Sequence, residues 1–446
     1  MPERLFGTDG VRGRAGSPPL DPSTVRRLGA ALVRALPRAS SEHRLLVGRD
    51  TRESGEWIGR ELAHGARTAG CHVTSAGVIS TPAIAYLTRE GQFDAGVVIS
   101  ASHNPFEDNG IKVFSGAGEK FTERIEREIE REVADPSWTL PDDDAPPVVD
   151  EDLSGAYLDH ARAALPRGRD LGAMRIAIDC ANGATAHLAP RLFAEFGFDV
   201  ERLGCSPDGR NINMACGSTH PAPLAEAVVS RGCRLGVAFD GDGDRAIFVD
   251  HLGRVVDGDA IMLLSARHLQ ATGRLRNQAI VATVMSNIGL EIALRESGIG
   301  LVRCPVGDKY VMEEMIARDI ALGGEQSGHI IFSDFLYTGD GLVTALNVLQ
   351  VMAATGRDLA DLASQLTTYP QILLNVRVRT KRDLADVPPV AAVMADVERR
   401  LGGTGRLLVR YSGTEPLLRI MLEGQDQGQI RAWAEEIAAE VRTHLA

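Results

Sequence analysis

Six short apolar runs recur along the chain, and each stops at a polar loop. Leu45, Leu46 and Val47 lead into GRDTRESGE, Ala95 to Ile99 into SASHNPFEDNG, and Ile176, Ala177 and Ile178 into DCANGAT. Leu235 to Phe239 leads into DGDGDR, Ile280, Val281 and Ala282 into TVMSN, and Ile320, Ala321 and Leu322 into GGEQSGH. Continuous apolar runs of this length read as strands covered on both faces, the mark of parallel pairing. Amphipathic stretches separate them, so the expected class is α/β. Ligands collect beyond the carboxyl ends of strands in open α/β sheets. The loops are therefore where chemistry is sought.

At roughly 150 residues per domain, 446 residues suit about three domains. The loops at 100–104, 240–245 and 323–329 read as equivalents from three successive α/β units, each aimed at a common cleft. A helix is expected over residues 119–134, where Phe121, Ile125, Ile129 and Val133 recur every four residues and balanced Glu and Arg give a solvated face. The Pro- and Asp-rich DPSWTLPDDDAPPVVDED follows as the first exit, with further boundaries near Gly253 and Thr367. Past the last boundary the rhythm changes. Strands are expected at 372–378, 406–409 and 418–422, then a helical stripe of Ile430, Ala434, Ile437 and Val441, a small α+β domain. The expected domains are 1–152, 153–253, 254–367 and 368–446.

Charge and composition exclude several classes. Lys and Arg number 48 against 60 Asp and Glu, a net charge of −12. That field does not draw in phosphate, so a general nucleic-acid binder is excluded, and any anionic ligand needs local cations or a metal. With 44% hydrophobic and 24% charged residues the chain is neither disordered, collagen-like nor a coiled-coil rod. The six cysteines form no CxxC pair and read as reduced, mostly buried thiols. The start, MPERLFGTDGVRG, lacks a basic patch followed by an apolar core, and no apolar run is long enough for a bilayer. Cytoplasm is the expected compartment, with no membrane partner.

Asp240, Asp242 and Asp244 alternate with glycines. Crowded carboxylates raise one another's pKa unless a cation sits among them, and Gly241 and Gly243 free the backbone to turn all three inward. Oxygen donors select a hard divalent cation, Mg2+ ahead of Ca2+ where water and phosphate complete the shell, the alternative being a solvated acidic turn. An EF-hand is excluded, because Arg245 replaces its glycine and His251 its bidentate Glu. Ser102 follows a strand, with His103 adjacent and Lys112 nearby. Ser-His-Asn-Pro can be a structural turn or a nucleophile's setting, and without a GxSxG elbow acyl transfer is not indicated. In RYSGTEP, Arg410, Ser412 and Thr414 are donors, Gly413 permits close backbone approach, and Arg419 follows on the next strand. The loop reads as a phosphate clamp or an ordinary turn. Glu325 and Ser327 suit sugar hydroxyls, Arg12 sits among glycines, and Gly307 and Asp308 stand at another strand end.

In this order FGTDGVRG, SASHNP, DGDGDR, VGDKYV, GEQSGH and RYSGTEP resemble the motifs of the α-D-phosphohexomutase superfamily, over essentially the whole chain. The resemblance implies three related α/β domains with mixed, largely parallel sheets plus a smaller C-terminal α+β domain, arranged around one central cleft. It implies that Ser102 is a phosphoserine that donates and regains a phosphoryl group. Asp240, Asp242 and Asp244 would hold Mg2+, a Ser102 phosphate oxygen completing the shell. Arg12, His103, Lys112 and Arg245 would surround it, with Lys112 as general acid/base. Asp308, Glu325 and Ser327 would meet the sugar, and Arg410, Ser412, Gly413, Thr414 and Arg419 would clamp the phosphate that does not react. GEQSGH, without Met, is similar to the glucosamine-handling branch. The reaction so implied interconverts glucosamine 6-phosphate and glucosamine 1-phosphate through a hexosamine 1,6-bisphosphate, feeding UDP-N-acetylglucosamine and cell-wall precursors. The same chemistry on glucose or mannose phosphates is the alternative. A non-catalytic phosphosugar-binding regulator and a metal-dependent phosphatase are readings of other classes. The expected partner is a phosphosugar, and relatives suggest a homodimer.

Overall fold

The computed structural model describes residues 4–7, 9–37, 42–141, 143–166, 171, 174–412 and 415–445. The chain packs as two compact units, one of residues 1–285 and 301–364, the other of residues 286–300 and 365–446.

Three mixed sheets build the first unit. The first runs Phe6–Gly7, Gly10–Arg14, Asp108–Ser115, Ala95–Ile99, His43–Arg49, Cys71–Val78. His43–Arg49 is parallel to both its neighbours, and the side from Asp108–Ser115 outward is antiparallel. The second runs Val255–Val256, Ala246–Asp250, Leu235–Phe239, Arg175–Asp179, Asp199–Leu203. Arg175–Asp179 is parallel to both its neighbours, while Ala246–Asp250 returns antiparallel. The third repeats the plan, with Ala279–Thr283 parallel to Leu322–Gly324 and Ile330–Phe332 returning antiparallel. Central strands read as apolar because both their faces are covered. Val97, Val98, Ile99, Ile176, Ile178 and Val237 are fully buried, and each contributes roughly 1.5–3 kcal/mol by leaving water.

The plan places three loops alike. In each sheet the last parallel strand turns back on itself as a hairpin, so the segments 100–107, 240–245 and 325–329 all connect a strand to its antiparallel neighbour. Beneath the second loop lies the helix Gly341–Thr355, mostly apolar and buried from Gly341 to Met352, with Thr344, Asn347 and Gln350 as its buried polar residues. Asp340 caps it, accepting from Val343 N at 3.0 Å, and Gly341 N donates to Gly243 O at 3.0 Å.

Two local expectations change. The helix expected over 119–134 is Glu123–Ala134, with extended Thr122 before it. Lys120 instead forms a bridge to Phe114. Its polar face is not wholly solvated, since Glu126 is buried against Lys309 at 2.8 Å. The strand expected at 320–322 lies at Leu322–Gly324.

The second unit is an antiparallel sheet in the order Gln371–Arg377, Leu417–Glu423, Arg406–Tyr411. Ile430, Ala434, Ile437 and Val441 of the helix Gln427–Leu445 pack into its core, as their spacing predicts. Helix Ile288–Glu296 belongs here as well: Ile288 N donates to the buried Glu423 carboxylate at 3.1 Å, and Asn287 and Tyr369 exchange hydrogen bonds of 2.9 Å. All six cysteines are free thiols. Among the described residues, no helix is long and apolar enough to cross a membrane.

Candidate active site

Ser102 stands in the first hairpin connection in a left-handed conformation, φ 52°. Such a backbone costs on the order of 1 kcal/mol or more for a residue with a Cβ, and marks a position held by its surroundings. Its N–H donates to Ser100 Oγ at 2.9 Å, and Ser100 Oγ donates to Asp50 at 2.6 Å. The side chain is buried. Its Oγ donates to Asp240 Oδ2 at 2.5 Å and lies 3.2 Å from His103 Nδ1.

The second loop meets the first backbone to backbone. A Cβ at Gly241 would strike the Ser102 carbonyl oxygen, and Gly243 takes φ 75°. Asp240, Asp242 and Asp244 are all buried, with carboxylate oxygens within 4.8 Å of one another. Asp242 Oδ2 accepts from Thr81 Oγ1 at 2.6 Å and from Lys112 Nζ at 2.8 Å. Lys112 Nζ also donates to Asp244 Oδ2 at 3.1 Å and pairs with Asp9 at 3.1 Å. Among the described residues, Oδ1 of Asp242 and Oδ1 of Asp244 have no hydrogen-bond partner. A buried carboxylate oxygen without a donor is costly, and this oxygen-only set fits a hard divalent cation. In a second cluster, of Asp244, Asp308 and His329, the last two have partners already. Asp308 is held by Lys120, and His329 Nε2 accepts from Gly339 N at 3.0 Å.

Burial pushes the Asp240 carboxyl well up, and negative Asp244 and Asp242 push it further. Burial acts the same way on Asp244, but Lys112, His329 and Arg245 outweigh it and hold that carboxyl down. Burial alone would lower the Lys112 ammonium, yet Asp242, Asp244 and Asp9 together raise it well above the usual lysine range. Burial, then the positive charges of Arg245 and Arg12, depress His103. Nε of Arg12 and Nε of Arg245 are buried without a hydrogen-bond partner among the described residues, and Arg12 pairs through its terminal nitrogen with Asp9. The arrangement is a buried hydroxyl between carboxylates and cations, suited to carrying an anionic group on Oγ.

The third loop docks on the second. Arg245 and His329 form an antiparallel bridge, and Ala246 N donates to Gly328 O at 3.1 Å. Glu325 Oε1 accepts from Gly307 N at 3.1 Å, and Ser327 Oγ donates to Glu325 Oε2 at 3.3 Å. Glu325, Ser327 and Asp308 thus share one neighbourhood, Asp308 following Gly307 at the start of the helix Asp308–Arg318.

The remaining candidates belong to the second unit. Arg410 and Arg419 are direct cross-strand partners. Like charges set opposite each other are unfavourable, and an anion between them would relieve the repulsion. Nε of Arg419 is buried without a partner among the described residues, and one terminal nitrogen reaches Glu415 at 3.2 Å. Ser412 is buried, its carbonyl accepting from Lys381 Nζ at 2.6 Å. Gly413 and Thr414 lie outside the described residues.

Sequence reasoning did not single out Asp9, Asp50, Arg52, Thr81, Lys120, Asn213 or His329. Asp9, Asp50, Arg52 and His329 stand within FGTDGVRG, GRDTRESGE and GEQSGH, beside residues of more evident chemistry. The spacing around Lys120 predicts a helix, yet its ammonium joins Asp9 to Asp308. Thr81 and Asn213 carried no local signal.

Repeated mixed sheets with a strained serine facing an acidic loop define a multidomain α/β protein whose candidate site residues gather at hairpin connections. The chain belongs to the phosphoglucomutase/phosphomannomutase family. It matches that family's α/β/α domains I, II and III over residues 3–139, 155–253 and 257–369, and its C-terminal domain over 373–440. It is 48% identical to a phosphoglucosamine mutase of Solibacter usitatus, covering 100% of both chains. It is 46% identical to one of Syntrophotalea carbinolica, covering 100% of this chain and 98% of the relative. The fold is shared with a phosphoglucomutase/phosphomannomutase family protein of Burkholderia thailandensis, with TM-score 0.81, 23% identity, and 99% and 98% of the two chains covered. It is also shared with Aspergillus fumigatus N-acetylphosphoglucosamine mutase, solved with GlcNAc-6P and magnesium, with TM-score 0.69, 18% identity, and 98% and 95% covered.

Proposed function

We propose that the chain is an isomerase that interconverts glucosamine 6-phosphate and glucosamine 1-phosphate. The full-length relatives named phosphoglucosamine mutase support the substrate. The observation that carries the mechanism is the 2.5 Å approach of Ser102 Oγ to Asp240 within the triple-aspartate loop.

Ser102 carries the phosphoryl group. The bond from phosphorus to Ser102 Oγ breaks as a bond to the sugar hydroxyl oxygen forms, leaving a 1,6-bisphosphate. Lys112, kept protonated by three carboxylates, passes a proton to the departing serine oxygen and recovers one from the sugar hydroxyl. The bisphosphate turns end over end, and Ser102 takes back the phosphoryl group from the other position. Asp240, Asp242 and Asp244 would hold Mg2+, whose charge stabilises the transferring phosphoryl oxygens. Arg12, His103 and Arg245 neutralise the same oxygens, and such a loose transition state needs charge stabilisation and alignment above all. Asp308, Glu325 and Ser327 read the sugar hydroxyls. Arg410, Ser412, Gly413, Thr414 and Arg419 hold the phosphate that is not transferred. The same reading puts the enzyme in the cytoplasm, its product leading to UDP-N-acetylglucosamine.

The test compares kcat/KM on glucosamine, glucose and mannose phosphates, with intact mass measured after incubation with glucose 1,6-bisphosphate. Preference for the glucosamine phosphates and one added phosphoryl group, lost in Ser102→Ala, are expected. Preference for glucose or mannose phosphate would overturn the substrate. Release of inorganic phosphate matching substrate loss would make the enzyme a phosphatase.

A further inference from the structure

The peptide of Ser102 is held at both ends by a buried ion pair. Arg52 Nε donates to Asp50 Oδ2 at 2.9 Å, and both side chains are fully buried. Asp50 Oδ2 also accepts from Ser100 Oγ, which accepts from Ser102 N–H. From the other side, Arg52 Nη2 donates to Ser102 O and to Asn104 O, each at 2.9 Å, and Nη1 donates to Pro105 O. A planar guanidinium can fork in this way and an ammonium cannot.

A second grip comes from the other sheet. Asn213 Nδ2 donates to Ser102 O at 2.8 Å and to Asn104 O at 3.1 Å, the two carbonyls Arg52 already holds. Asn213 N donates to Ala181 O at 2.8 Å, which ties it to the segment after Arg175–Asp179. Buried ion pairs add little stability over apolar packing, and their best-attested use is to fix one geometry. Here the geometry is the left-handed Ser102 that puts Oγ against Asp240.

We propose that Arg52 and Asn213 are positioning residues that clamp the Ser102 carbonyl from two sheets and keep its side chain aligned for phosphoryl transfer. The inference rests on the mutase reading above. A phosphoserine brings about −1.5 to −2 of charge beside the Asp240 carboxylate, so the loop must resist being pushed outward.

The test uses the full chain, phosphorylated by glucose 1,6-bisphosphate. Asn213 has φ 60°, so Asn213→Gly removes the carboxamide without adding strain. It is expected to lower kcat on the order of 10–100-fold, the cost of a misplaced reacting group, with KM for glucosamine 6-phosphate nearly unchanged. Phosphoserine, followed by intact mass, should be lost to water faster. Asn213→Asp keeps the shape but turns an acceptor toward two carbonyls, and should be worse than Asn213→Gly. Arg52→Lys keeps a charge beside Asp50 without the fork, and should show the same kcat-selective loss. Variants that match wild type in kcat and phosphoserine lifetime while only Tm falls would overturn the clamp. So would Asn213→Asp outperforming Asn213→Gly, which is the order expected of packing alone. A wild-type enzyme that turns over no hexose phosphate would sink the mutase reading instead, a distinct result.

Discussion

Lys112 Nζ lies 2.8 Å from Asp242 Oδ2, although the two residues are 130 positions apart in the chain. One fully buried ammonium answers Asp242, Asp244 and Asp9 together. Lys112→Met should therefore cost about 3–5 kcal/mol, the usual penalty for stranding buried charge, as well as mutase activity. Urea unfolding checks the first and a coupled assay the second. The raised ammonium means that this stabilisation is full below the ordinary lysine value of 10.5 and is lost only as pH climbs through the higher folded value.

Ser102→Ala should abolish turnover while leaving the fold intact, since among the described residues the lost side chain makes its hydrogen bonds to Asp240 and His103 alone. Activity should fall by about 10³-fold or more, as for loss of a covalent nucleophile. Thermal unfolding should stay near wild type, and mass spectrometry should find no added phosphoryl group. Near wild-type turnover would remove Ser102 from the mechanism.

Chelation with EDTA should silence the enzyme and added Mg2+ should restore it. Asp242→Ala should weaken that response severely, because among the described residues Asp242, like Asp244, gives the 240–245 loop a buried carboxylate oxygen without a hydrogen-bond partner. A metal titration of activity, with isothermal calorimetry of Mg2+ binding, distinguishes a lost site from a lost fold. An unchanged metal response would refute the assignment.

Arg419→Ala removes one of two like charges set opposite each other in the ladder. KM for the phosphosugar should rise at least about tenfold, the loss of a charge-assisted contact to phosphate. Stability should hold or rise by a few tenths of a kcal/mol, the relief of cross-strand repulsion. A variant that loses stability and keeps its KM would make the arginine structural.

Asp340 gives a pH test. It accepts from Tyr157 OH at 2.9 Å, yet burial pushes its carboxyl from 3.8 up to about 6. The neutral form is favoured in the fold, so its contribution is full below about 3.8 and fades as pH rises through 6. Asp340→Asn stays neutral and can still cap Val343 N–H. It should be more stable than wild type near pH 8, by up to roughly 3 kcal/mol for two pH units, with the gap closing near pH 4. Urea unfolding at both pH values measures it.

Much of the site could be read from the linear chain. Ser102, Asp240 and Glu325 each follow an apolar strand, and that local rhythm marks a loop at a strand end. The stripe from Ile430 to Val441 likewise announced a buried helical face. Lys120 is not legible in this way, since its neighbours have helical spacing while its ammonium is drawn to Asp9 and Asp308. Arg52 and Asn213 look like ordinary polar loop residues until the carbonyls they grip are in view.

By itself the sequence determined the α/β class, the strand ends and the chemical types gathered there, because periodicity and the chemistry of glycine and aspartate act over a few neighbouring residues. Only the tertiary structure decided that Lys112 would answer the aspartates, that Arg410 would face Arg419, and that Arg52 and Asn213 would meet at one carbonyl. Those pairings depend on strand register and on which surfaces exclude water together. Arg410 and Arg419 share one hairpin and need only its register, but Lys112 and the aspartates, like Arg52 and Asn213, stand more than a hundred positions apart and meet only when the whole core closes.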